Sequence, residues 1–249
     1  MTAPEERTNR MSAGRVESAD IDWSGCESPF VLRRYVRANC SVRKQLLVAV
    51  ACCRVMAHHL STDQMAALEI VGRWADGLVD LEQYEDVATV LRQDVLRAGE
   101  LRREIAGDDP VLRLRESIAA ALVSLVGTPS DDGLHRVLQW VESYGVQTRS
   151  RAVRHELCAA FREIVPPPFE LRARYLGGGQ VAPWMLRVGD AAEAIARGIR
   201  LDGAFDRLPI LADALEDDGC EDRVLLQHLR SDGPHVRGCW AHDLVLGQS

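Results

Sequence analysis

The chain has 249 residues, 47% of them hydrophobic, which is enough for one large domain or two small ones with a true core. A net charge of −7 and a pI near 5.5 argue against a nucleic-acid partner, which calls for a basic surface. Seven cysteines, an odd number without framework spacing, read as reduced thiols in a cytoplasm rather than a disulfide scaffold. Met1 to Gly25 holds no secretory apolar run, and the longest apolar stretch, Leu46 to Cys53, is far short of a bilayer span. No membrane contact is therefore expected.

Residues 1–24 are charged, small and aperiodic, and are expected to form a disordered tail with Trp23 as its one anchor. Residues 25–249 are expected to form a single all-helical domain. Ser28-Pro29 marks the first start, with a helix from Phe30 to Asn39. Ser41 caps a nearly all-apolar helix from Val42 to His59, a pattern that belongs in the middle of a bundle. Ser61 followed by Gln64 reads as a capping box for a third helix ending at Gly77, and Asp80 with Gln83 repeats the pattern. A long amphipathic helix then runs from Leu81 to about Ala106.

Asp109-Pro110 opens a fifth helix to Val126, ended by Gly127 and Pro129. Leu134 to Tyr144 and Arg149 to Val165 give two more, and Pro166-Pro167-Pro168 stops the second. Phe169 to Pro183, with Gly177-Gly178-Gly179, reads as an irregular loop or linker. Helix resumes from Trp184 to Arg200. Farther on, Leu208, Leu211, Ala212 and Leu215 share one face, and Gly219 sits where a left-handed cap belongs. Asp222 caps a helix carrying Val224, Leu225 and Leu229, and Pro234 is placed to open a last one. No alternating pattern marks a sheet. The fold class is all-α, an irregular bundle of about ten helices. A repeat-like arrangement is conceivable, but no fixed sequence period is present.

The last helix carries the sharpest chemical hint. At helical spacing His235, Cys239 and His242 share one face, and Cys220 or His228 could complete a tetrahedron around zinc. The plainer reading is packing and capping, because buried Cys behaves as a small hydrophobe and no Cys-x2-Cys pair occurs. Asp206 and Asp213, seven apart, could serve as paired carboxylates, though a solvated acidic face accounts for them more simply. Arg33, Arg34, Arg37 and Arg43 make the N-terminal helices locally basic. They could dock an acidic partner, or pair with the acidic C-terminal stretch of the same fold. There is no Gly-x-Ser-x-Gly elbow, no His-Glu-x-x-His and no dinucleotide fingerprint.

Two stretches carry a resemblance: LLVAVACCRVMAHHLSTDQMAALEIVGRWADGL, and FDRLPILADALEDDGC with DGPHVRGCWAHDLVLG. In them, over roughly Val31 to Glu82 and Leu157 to Gly247, the chain resembles a family of uncharacterised planctomycete bacterial proteins. The phrase HVRGCW, His235 to Trp240, is its most specific part. The resemblance implies a bacterial cytoplasmic setting and supplies no catalytic residue. Together these readings lead to the expectation of a non-enzymatic helical module for protein interaction or scaffolding, acting without a cofactor on a protein partner. The alternative is a zinc-binding protein, a hydrolase in one form, built on His235, Cys239, His242, Cys220 and His228.

Overall fold

The computed structural model describes residues 22–104, 110–127, 135–141, 151–166 and 188–248. Among them every regular element is helical and no strand occurs, as the sequence pattern requires. The expected tail up to residue 21 and the loop from Phe169 to Pro183 lie outside the described residues. Ten α-helices follow in order: α1 Pro29–Asn39, α2 Val42–Val55, α3 Thr62–Ala75, α4 Leu81–Glu104, α5 Pro110–Gly127, α6 Arg151–Ile164, α7 Asp190–Asp202, α8 Leu208–Asp217, α9 Arg223–Leu229 and α10 Trp240–Val245. Residues 135–141 are also helical.

The hydrophobic residues form two clusters. The first is centred on α2, which is buried over most of its circumference from Leu46 to Cys53. It packs against α3 on one side and α6 on another, where Leu157, Phe161 and Ile164 point inward at α-helical spacing. Trp23 is buried against Tyr35 of α1 at 5.1 Å, and its carbonyl accepts from Arg162 Nε, so it does anchor the segment before α1. α4 and α5 form an antiparallel pair, joined to the rest through Trp74 stacked on Tyr84 at 4.6 Å. The second cluster gathers α7 to α10 around Ile199, Leu211, Leu225, Leu229, Cys239 and Trp240.

Local signals act as expected at several ends. Ser61 and Gln64 make the reciprocal capping box of α3. Asp222 Oδ1 accepts from the Val224 and Leu225 amides, and Gly219, at φ +89°, closes α8 with the Cys220 amide donating to the Leu215 carbonyl. Two expectations need correction. α2 stops at Val55, and Ala57–His59 is a 3-10 turn rather than its continuation. The last helix does not begin at Pro234; it spans only Trp240–Val245. Gly233 and Gly238 have φ of +77° and +89°, which no α-helix contains, so residues 233–239 form an irregular strap. Gly238 is needed there for a second reason. A Cβ on it would meet Leu47 Cδ1 of α2 at 2.8 Å.

Candidate metal centre

The two clusters meet along a seam, and two polar constellations lie on it. The first is a buried ion network. Arg43 of α2 bridges Asp76, at the end of α3, and Asp243 of α10, at 2.6 and 2.7 Å. Lys44 Nζ is 2.6 Å from Asp243 Oδ2 and also donates to the carbonyls of Ile164 and Gly238. Arg237 joins Asp76 at 2.9 Å and donates to the Arg200 carbonyl. Asp76 and Asp243 expose only 1% and 2% of their side chains, so each carboxylate depends on its partners for stabilisation. Burial would raise the Asp243 pKa, but the Lys44 charge and the Arg43 hydrogen bond outweigh it and hold the carboxyl below its usual range.

Arg43, a candidate for an acidic partner, is thus turned into the fold with its side chain 18% exposed. It follows the alternative of pairing with the C-terminal stretch. Arg34 and Arg37 are exposed and Arg33 half-buried on α1. Asp213, with Glu216, pairs with Arg230 on an exposed face, which answers the paired-carboxylate reading of Asp206 and Asp213 in favour of a solvated ionic surface.

The second constellation brings Glu163, His228, His235 and Cys239 together, one ligating atom from each lying within 4.8 Å of all the others. They come from three separate places: Glu163 near the end of α6, His228 in α9, and His235 and Cys239 in the strap. His235 Nδ1 is 2.9 Å from Glu163 Oε1. His228 Nε2 is 3.4 Å from Glu163 Oε2 and 3.3 Å from Cys239 Sγ. Side-chain exposure is low, at 11% for Glu163 and 7% for His235, and Cys239 is fully buried.

The hydrogen bonds around His235 fix its chemistry. Its Nε2 lies 3.1 Å from the Ser231 carbonyl, which can only accept, so Nε2 carries the hydrogen. In the neutral ring Nδ1 then presents a lone pair to the Glu163 carboxylate. Two acceptors at that distance need a proton or a cation between them. The hydrogen bond that a protonated Nδ1 donates to the Glu163 carboxylate raises the His235 pKa, against burial. At Glu163 burial acts upward, but hydrogen bonds from His228 and His235 bring the carboxyl below its ordinary value. Burial, and then the Glu163 charge, push the Cys239 thiol well up when no cation is present.

The arrangement fits a tetrahedral ion. Zinc bonds of about 2.0–2.3 Å place ligand atoms about 3.3–3.8 Å apart; the His228 pairs at 3.3 and 3.4 Å sit at that edge, the hydrogen-bonded His235–Glu163 pair at 2.9 Å would have to open, and the widest would close by about 1 Å. The Ser231 carbonyl on His235 Nε2 is the orienting contact that histidine ligands ordinarily have.

Of the sequence candidates, the structure brings His228, His235 and Cys239 together and leaves two out. His242 faces the other way: its Nε2 donates to the Ala196 carbonyl at 2.8 Å, its ring edge packs on Phe205, and burial lowers its pKa. The reason is the strap. His235 and Cys239 are not on a common helix with His242, so helical spacing does not align the three. Cys220 is buried in the second hydrophobic cluster, outside the group. Glu163 was missed, since it lies 72 residues from His235. Its one local signal is a carboxylate set between the inward-facing Phe161 and Ile164.

In comparisons with known proteins, no protein-family model, no curated protein and no solved structure matches the chain. Among the described residues no helix is long and apolar enough to cross a membrane.

Proposed function

We propose that the protein binds a zinc-like transition-metal ion through Glu163, His228, His235 and Cys239. Three ligands belong to the C-terminal helices and strap, and Glu163 reaches the ion from α6. The ion would fasten the second hydrophobic cluster to the first beside the Arg43–Asp243 network. The observation that carries this reading is the convergence of four nitrogen, oxygen and sulfur ligands from three chain segments within 4.8 Å. A mixed imidazole, thiolate and carboxylate set favours zinc over calcium or magnesium, which take oxygen ligands. The scaffold or interaction role expected from the sequence rests on the core pattern and on missing catalytic motifs, and no contact geometry among the described residues adds to it.

The test is the mass of the native protein, purified without chelator or a nickel column, before and after incubation with one equivalent of zinc. We expect one zinc per chain, lost in His235→Ala and Cys239→Ser and kept in Cys220→Ala and His242→Gln. A metal-free mass after zinc incubation would overturn the reading, as would retention of zinc by both of the first two variants.

A further inference from the structure

Beside the candidate ion site the seam opens into a cleft of about 760 Å³. That is within the size range of small-molecule sites. Its walls are largely apolar, with Trp23, Val55, Ala160, Val224, Val236 and Trp240 among them. Glu163 and His228 both belong to the lining, whereas His235 and Cys239 do not. An ion held by the four residues would therefore be approached from the cleft on the Glu163–His228 side.

Charge tells what kind of group fits there. Arg162 also lines the cleft, and its guanidinium donates to the backbone carbonyls of Trp23 and Cys26. Those partners are neutral, so within the lining its positive charge is set against Glu156. Arg54, another lining residue, is compensated by Glu69. With Glu163 and the Cys239 thiolate bound, a divalent ion is neutralised. If the carboxylate steps off, the ion with its one thiolate carries a net positive charge, and the displaced Glu163 carboxylate stays beside it in the lining. Glu163 is also the one ligand supplied from across the seam.

We infer that the cleft binds a small molecule with an apolar body and a single anionic, metal-ligating head, the head taking the place of Glu163 on the ion. The inference rests on the metal reading above and deepens it. The apolar body lies along Trp240, Val224 and Ala160, and the head reaches the ion beside His228. The ligand class is therefore an amphipathic carboxylate or a close chemical relative, not a free inorganic anion.

The experiment uses the full chain loaded with cobalt(II), whose visible absorption reports its ligands, titrated with straight-chain hydroxamates from acetohydroxamate to octanohydroxamate. We expect a changed cobalt spectrum and affinity that tightens about fourfold per added methylene until the cleft is filled. Glu163→Gln is expected to bind each hydroxamate more tightly while keeping the chain-length trend. Ala159→Phe, on the cleft wall, is expected to flatten the trend while leaving the cobalt spectrum of the unliganded protein intact. If cobalt binds with a thiolate signature but the spectrum ignores hydroxamates, or if acetohydroxamate and octanohydroxamate bind alike, the cleft inference is wrong and the metal site stands. If cobalt does not bind at all, the metal site itself falls, and the inference with it.

Discussion

Replacing Asp243 by asparagine probes how much of the fold depends on the seam. The side chain is 2% exposed, and it meets Lys44 Nζ at 2.6 Å and both terminal nitrogens of Arg43 at 2.7 and 3.0 Å. Removing one partner from a buried pair costs about 3–5 kcal/mol, because the remaining charge is left uncompensated. Here Arg43 keeps Asp76, and Lys44 keeps the carbonyls of Ile164 and Gly238. The asparagine oxygen can still accept one hydrogen bond. The low end applies, about 3 kcal/mol, or a drop of about 6–12 °C in Tm for a protein of this size. Urea unfolding at neutral pH should show a lower midpoint with an unchanged slope. The pH dependence gives a second reading. Asp243 has a folded pKa below its unfolded value of about 3.9, so its contribution is complete above that value. It is lost as the pH falls through the lowered folded pKa. The gap between the parent protein and Asp243→Asn should therefore close as the pH drops below about 4. A loss under about 1 kcal/mol at neutral pH, or a gap that does not narrow in acid, would refute the argument.

Gly238→Ala should be costly for two separable reasons, the positive φ and the approach of Leu47 Cδ1 at 2.8 Å. Together these amount to about 3 kcal/mol by denaturant titration; Leu47→Ala in the same chain should recover the steric part, shown as a non-additive double mutant. Asp222→Ala removes the side-chain acceptor for two amides at the start of α9 and should destabilise by about 1 kcal/mol. It should also weaken zinc binding, since α9 positions His228. Asp222→Ser should restore most of both. Adding zinc at 100 times its Kd should stabilise the parent protein by about 2.7 kcal/mol, and Cys239→Ser should respond much less.

Helix identity was legible because the apolar spacing and caps are local. Ser61 with Gln64, Asp222 and Gly219 each act on atoms within a few residues. The strap from Gly233 to Gly238 was not legible, because a Pro in the first turn is equally a helix start, and what opposes helix here is two glycines with positive φ, one of them pressed against Leu47. The same limit shaped the site. Reading His235, Cys239 and His242 as one helical face picked out two residues that the structure does bring together, but through an irregular strap rather than a helix, and it carried His242 along. The contributions of Glu163 and Asp243 depend on partners 72 and 200 residues away in sequence, Asp243 pairing with Arg43 and Glu163 with His235. No spacing rule reaches that far. Lys44, the only lysine in the chain, stands in a run of basic residues that reads either as solvated or as pairing with the acidic C-terminal stretch; it is 6% exposed and holds three acceptors at the seam.

Glu163, His228, His235 and Cys239 are proposed to hold a metal ion. The most direct measurement is the anomalous difference map from a crystal of the zinc-incubated protein, with data collected on both sides of the zinc absorption edge. The expected map has a single strong peak about 2.0–2.1 Å from His235 Nδ1 and His228 Nε2, about 2.3 Å from Cys239 Sγ and about 2.0–2.2 Å from a Glu163 oxygen. A map with no peak among these four side chains, and His235 still hydrogen-bonded directly to Glu163, would contradict the proposal.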